Sequence, residues 1–173
     1  GEIIEREPEV FTEGMDAAEK GGYAHFMEKE IHEQPRAAAE LIHWLSASSF
    51  VPQFLDSLSS ARHLYFVGCG TSYHACMIGA AYFNRIAGIP AIPVLAPQFT
   101  ETLAPILTPE DTVVFVSQSG ETKDVLNALN VVRPTGAKVL GVLNVIGSAL
   151  MHLSDHYLPL ACGYEISVPA TKT

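Results

Sequence analysis

Apolar positions along the chain recur in two rhythms. Runs rich in β-branched and aromatic residues at 62–67, 91–95, 112–116, 138–143 and 156–160 read as strands. Between them the spacing turns helical, over 73–87, 98–103, 122–132 and a short stretch from Gly147 to 153. Ahead of the first strand, His25, Phe26, Met27 and Ile31 form a helical stripe that is expected to end before Pro35, because the residue preceding proline avoids the helical region. A second helix, with Leu41, Ile42 and Trp44, is expected to start at Pro35, and a third to cover 50–58. Residues 1–22 are acidic, weakly periodic and punctuated by glycine, which reads as a linker or arm, leaving 23–173 as one domain. Strands alternating with helices call for an α/β fold with a central parallel sheet, covered on both faces and joined by right-handed crossovers. Ligands of such sheets sit at the carboxyl ends of the strands.

Two of the strand-to-helix loops carry candidate chemistry. The third strand runs into Ser117-Gln118-Ser119-Gly120-Glu121-Thr122, with three hydroxyl groups and an amide within six residues and no Lys or Arg. A strand, a small-residue loop and a helix start leave unpaired N–H groups and the positive end of a helix dipole facing one point, which suits a phosphate. Gly120 reads as the place where the backbone approaches the oxyanion without a side chain in the way. The first strand ends in Gly68-Cys69-Gly70-Thr71-Ser72, offering a second pair of hydroxyls on the same sheet edge. Its G-x-G start is no dinucleotide fingerprint, since position 73 is Tyr and the following strand carries no closing acidic residue. Two such loops could close on one sugar phosphate, one set holding phosphate and the other reading sugar hydroxyls.

Composition narrows the partners. A formal charge of −9, with no Lys/Arg cluster, excludes an electrostatic nucleic-acid surface. No apolar run reaches a spanning length and no charged segment precedes an apolar one, so a membrane partner is not expected. Cys69, Cys76 and Cys162 lack metal-site spacing and read as buried free thiols of a reducing, cytoplasmic compartment; neither a metal nor a cofactor is called for. Cys69 reads as a packed thiol, because no local His or Asp would activate it. His25, His32, His43, His74, His152 and His156 all fall outside the candidate loops and read as structural or surface groups. Gly1 ahead of a sequence with no initiator Met reads as the start of a piece cut from something longer.

Taken together, Cys69-Gly70-Thr71-Ser72, the 117–122 loop, Asn144-Val145-x-Gly147-Ser148 and Glu165-Ile166-x-Val168-x-Ala170-Thr171-Lys172 resemble, in that order, the first sugar-isomerase (SIS) domain of the glucosamine-6-phosphate synthases, the glutamine:fructose-6-phosphate aminotransferases. The stretch from Glu19 through Lys29-Glu30-Ile31-x-Glu33-Gln34-Pro35 resembles the entry to their isomerase half. The resemblance implies a flavodoxin-like three-layer αβα sandwich preceded by helices. It implies that Ser72, Ser117, Gln118, Ser119 and Thr122 hold the phosphate of fructose 6-phosphate or glucosamine 6-phosphate, while Thr71 and Val168 meet the sugar. It implies as partners a glutaminase domain, a second SIS domain and a second copy in a homodimer. No catalytic residue is assigned within this stretch, because the family's acid/base Glu and Schiff-base Lys belong to the second SIS domain. Ala170 departs from the family's Ser and removes a hydroxyl from the sugar; Ser167 and Pro169 depart as well. An aminosugar-phosphate deaminase or a sugar-phosphate-sensing module therefore stays open beside the synthase. Glu165 reads as a surface carboxylate before a helix start ahead of the alternative that it orients the loop, and Lys172 is expected to be non-catalytic.

Overall fold

The computed structural model describes residues 19–173, and the first eighteen residues of the expected arm lie outside the described residues. Five strands, β1 (Leu64–Gly68), β2 (Ala91–Leu95), β3 (Thr112–Ser117), β4 (Lys138–Leu143) and β5 (His156–Pro159), pair in parallel in the order β2-β1-β3-β4-β5. This is the flavodoxin-like order. The strand residues divide between two faces. Tyr65, Val67, Val113, Phe115, Val139 and Leu143 pack against α4 (Ala96–Thr102), α5 (Lys123–Val132) and α6 (Ala149–Leu153). Leu64, Phe66, Val114 and Leu140 pack against α2 (Val51–Ser59) and α3 (Gly70–Tyr82). Both faces of the central strands are thus dry, which is why those strands read as nearly unbroken apolar runs. In α5 the positions Val125, Ala128, Leu129 and Val132 are fully buried at the spacing of one helical face. Burying each larger side chain of that set is worth about 1.5–3 kcal/mol.

Two helices differ from expectation. α1 (Phe26–Ala47) is one continuous helix of 22 residues with Pro35 inside it, not two helices meeting at Pro35. A proline in a helix interior loses one N–H bond and costs on the order of 3 kcal/mol. Here both flanks are held by tertiary contacts, since Glu30 and Ala37 are buried and Glu33 and Gln34 bond to distant residues. α3 starts at Gly70, three residues before the expected start, and its last turn widens into a π-turn over Phe83–Ala87. Gly68 sets that early start. A Cβ there would lie 3.1 Å from the Ser72 carbonyl carbon and 3.2 Å from both the Tyr73 nitrogen and the Val116 oxygen, so a larger residue would have to push the first turn of α3 or the end of β3 away. Among the described residues no helix is long and apolar enough to cross a membrane.

Candidate functional site

The chain leaves β1 on one side, through α3 to β2, and crosses back through α4 to β3 on the other side. The carboxyl ends of β1 and β3 therefore open a crevice between the two connections, the place where ligands of such sheets bind. A cavity of about 560 Å³ occupies it. Its walls come from three stretches: Cys69, Gly70, Thr71, Ser72 and His74 at the start of α3; Gln118, Ser119 and Thr122 before α5; and Val168, Pro169 and Ala170 near the end of the chain. Neither α3 nor α5 has a side chain capping its first N–H groups. Those donors and both dipole ends remain available to an anion. Among the described residues no Lys, Arg, Asp or Glu lines the cavity.

Six of the seven residues singled out from the sequence, Thr71, Ser72, Gln118, Ser119, Thr122 and Val168, line this one cavity. Ser117 does not; it is 2% exposed and lies behind the loop. Its hydroxyl accepts the Gly120 N–H at 3.1 Å and lies 3.0 Å from the Thr122 hydroxyl. If Ser117 gives its single proton to Thr122, the Thr122 proton is free for a ligand. Ser119 accepts the Glu121 N–H at 3.1 Å through its oxygen, and its own proton also remains to be donated.

The glycine of this loop has other work than the sequence suggested, and the glutamate reaches beyond the loop. Gly120, at φ +65°, is held closed against Ser148: a Cβ would fall 2.2 Å from Ser148 Oγ and 2.6 Å from its Cβ. Its role is to seat the loop on the start of α6. Glu121 accepts the Ala149 N–H at 2.6 Å and so caps α6 rather than α5. The Gln118 carbonyl accepts the N–H groups of Asn144 and Val145 at 3.1 and 3.3 Å, fastening the same loop to the end of β4. The Asn144 side chain bonds to Cys162 and Gly163, so the 144–148 motif braces the site from behind.

Two residues escaped the sequence reading. His74 lines the cavity although it had been placed outside the loops. With α3 starting at Gly70, His74 lies one turn beyond Gly70 and Thr71 on the same side of the helix, and that spacing was the available signal. Glu30 is the other, a carboxylate only 2% exposed on α1. It accepts hydrogen bonds from the Ile166 and Ser167 N–H groups and from the Thr171 hydroxyl, all in the segment that carries Val168–Ala170. Burial alone would raise its pKa; the bonds from that segment outweigh burial and hold it below the ordinary 4.5. The Ser167 hydroxyl faces the carboxylate closely enough to favour its charge without closing a hydrogen bond of normal geometry. Glu165 starts no helix. It accepts the N–H groups of Thr171 and Lys172 and the hydroxyl of Thr173, closing the segment on itself, and lies 2.9 Å from the Thr171 hydroxyl, whose single proton the two carboxylates share. Lys172 is buried against Glu33, 2.6 Å away.

The thiols are quiet. Burial, with the nearby Asp124 charge, pushes the Cys69 thiol up. Burial drives Cys76 to about 12 and Cys162 to about 11. Among the described residues no group of three or more His, Cys, Asp or Glu side chains could hold a metal ion.

A parallel sheet of this order has counterparts among known proteins. The family model for the SIS domain matches residues 57–173. The chain belongs to the SIS domain family. Over its whole length this SIS domain is 41% identical to a glutamine–fructose-6-phosphate aminotransferase (isomerizing) from Methanothermobacter thermautotrophicus, of which it spans 28%. Among solved structures, the C-terminal domain of glucosamine-fructose-6-phosphate aminotransferase from Francisella tularensis is 30% identical at a TM-score of 0.78, over 89% of the SIS domain and 44% of that chain. A glucosamine-6-phosphate deaminase from Thermotoga maritima is 26% identical at a TM-score of 0.62, over 79% of the SIS domain and 40% of that chain.

Proposed function

We propose that this SIS domain binds fructose 6-phosphate or glucosamine 6-phosphate on behalf of an isomerizing glutamine:fructose-6-phosphate aminotransferase. The observation that carries the reading is the convergence of two uncapped helix starts and the hydroxyls of Ser72, Ser119 and Thr122 on one cavity with no charged wall. Ser72, Gln118, Ser119 and Thr122 hold the phosphate, with Ser117 keeping the loop in shape behind them. Thr71 and Val168 meet the sugar. The higher identity to the aminotransferase than to the deaminase favours the synthase over deamination.

Glutamine hydrolysis and the acid/base steps on the sugar belong to other parts of the parent, a glutaminase domain and a second SIS domain. The family's acid/base Glu and Schiff-base Lys have no counterpart among the described residues that line the cavity, so the domain alone is expected to bind its ligand without turning it over. A homodimer is supported by the exposed apolar row Ile78, Tyr82 and Ile86 at four-residue spacing, and a cytoplasmic setting by three unpaired cysteines. Titration calorimetry with fructose 6-phosphate, glucosamine 6-phosphate and unphosphorylated fructose tests the reading. Binding of the two phosphates and not of fructose is expected. Equal binding of fructose, or none of the three, would overturn it.

A further inference from the structure

A carboxylate is rarely fully buried unless something compensates it, and no cation sits on Glu30 in its hydrogen-bond set. Its partners are donors of one short segment: the Ile166 N–H, the Ser167 N–H at 3.1 Å and the Thr171 hydroxyl at 2.8 Å. That segment has no regular secondary structure to fix its position. Glu165 closes it into a loop from within, and Glu30 fastens the loop to α1. Gln34 donates to the Thr171 carbonyl and Lys172 pairs with Glu33, so one face of α1 carries every outside tie named here. Between the anchored positions, Val168, Pro169 and Ala170 project as the third wall of the cavity, with Val168 wholly exposed. The other two walls are fixed by backbone bonds, Gly packing and the Ser117 hydroxyl, none of which involves Glu30 or Glu165.

We propose that Glu30 is a positioning residue for the sugar end of the ligand: by tethering the 165–172 segment to α1 it sets the Val168–Ala170 wall, while the phosphate end is held independently of it. The inference rests on the phosphosugar reading given above. It makes the two ends of one ligand separable by mutation. Replacing Glu30 by Gln keeps the volume and removes the charge: the amide oxygen can still accept the Ile166 and Ser167 N–H groups, which share Oε1, but those bonds lose their ionic strength, and the amide NH2 takes the place of Oε2, so the Thr171 hydroxyl must turn round to accept it. The tether is then weakened and the sugar wall loses its fixed position.

The test is an NMR titration of wild-type protein, Glu30→Gln and Glu165→Gln with fructose 6-phosphate and, separately, with inorganic phosphate. Both variants should bind fructose 6-phosphate about tenfold more weakly and inorganic phosphate within about twofold of wild type. Amide hydrogen exchange should speed up at 166–171 in both variants and stay unchanged in β1 and β3. Unchanged fructose 6-phosphate affinity in folded variants would overturn the proposal, as would an equal loss of both ligands, which marks a general structural role. Should Glu30→Gln fail to fold, Glu165→Gln, which slackens the same segment from its other end, decides by the same two readouts. If wild type binds phosphate but not the phosphosugar, the functional reading falls; faster exchange confined to 166–171 in Glu30→Gln would then still uphold the tether, and unchanged exchange would remove it.

Discussion

The two sides of the cavity are made in different ways. The side formed by the starts of α3 and α5 is a product of the fold: parallel strands end there, helices begin there, and short-range bonds such as Ser117 to Gly120 and Ser119 to Glu121 shape the turn. The side formed by Val168–Ala170 belongs to no strand or helix and is held by carboxylates whose partners are as many as 141 residues away in sequence. The first is fixed by geometry and carries no charge. The second depends on ionised groups. A ligand with a phosphate at one end and a sugar at the other would therefore meet a rigid grip and an adjustable one.

The strongest blow to the geometric side is Gly120→Ala. The residue sits at φ +65°, a region costing an L-residue roughly 1–2 kcal/mol, and the new methyl must displace Ser148 as well. A loss of about 3 kcal/mol in urea unfolding is expected, with the 165–172 tether intact by hydrogen exchange. Adding Ser148→Gly should restore the steric part and leave the backbone part.

The charged side breaks with acid. Glu30 has a folded pKa below its unfolded value of 4.5, so its contribution is complete above that value and is lost as pH falls through the folded pKa. The amide signals of Ile166 and Ser167 should shift below about pH 4.5, while those of Gly120 and Glu121, bonded to neutral hydroxyls, should not. Asp111 follows the same sign at the opposite end of the sheet: burial would raise its pKa, but the Thr108 N–H and the bond to His63 hold it below 3.8. Part of the acid unfolding will therefore report Asp111, and Asp111→Asn separates the two. Removing the charge by Glu30→Gln at pH 7 should cost about 2 kcal/mol of stability, the scale of hydrogen bonds to an ionised group.

Smaller still is the loss of one cradle hydroxyl. Ser119→Ala should weaken phosphosugar binding about tenfold, corresponding to about 1.4 kcal/mol. Lys123→Ala, at an exposed position beyond the loop, should change it less than twofold by calorimetry. A large effect of Lys123 with none of Ser119 would mean that a cation governs the grip after all. Least affected should be the thiols: Cys76 and Cys162, at about 12 and 11, should resist iodoacetamide at pH 7.5 in the folded protein.

The same contrast explains which parts of the molecule could be read from sequence. β4 falls at 138–143 and β3 at 112–117, where the apolar runs at 138–143 and 112–116 say, because strands buried on both faces announce themselves locally. The cradle was readable for a similar reason, since its residues are neighbours in the chain. The start of α3 was not, because Gly70-Thr71-Ser72 has loop composition and the packing that makes it helical is the approach of β3 to Gly68. Shifting that start hid His74. Pro35 misled in the opposite sense: its local penalty is real, but contacts to the far end of the chain outweigh it. Glu30 gave no local sign at all, for nothing near it in sequence says that a carboxylate is wanted there.

The proposed phosphate site, with no Lys or Arg among the described residues of its wall, also changes how a ligand would arrive. The protein bears a formal charge of −9, and apart from His74 the described cavity wall offers dipoles, whose attraction fades within a turn of helix. A dianionic ligand is thus repelled at long range and captured only on contact. Most phosphate sites lined by Lys or Arg recruit faster in dilute salt. Here the association rate should climb as ionic strength rises toward the physiological Debye length of about 8 Å, because screening removes the barrier and takes little from the grip.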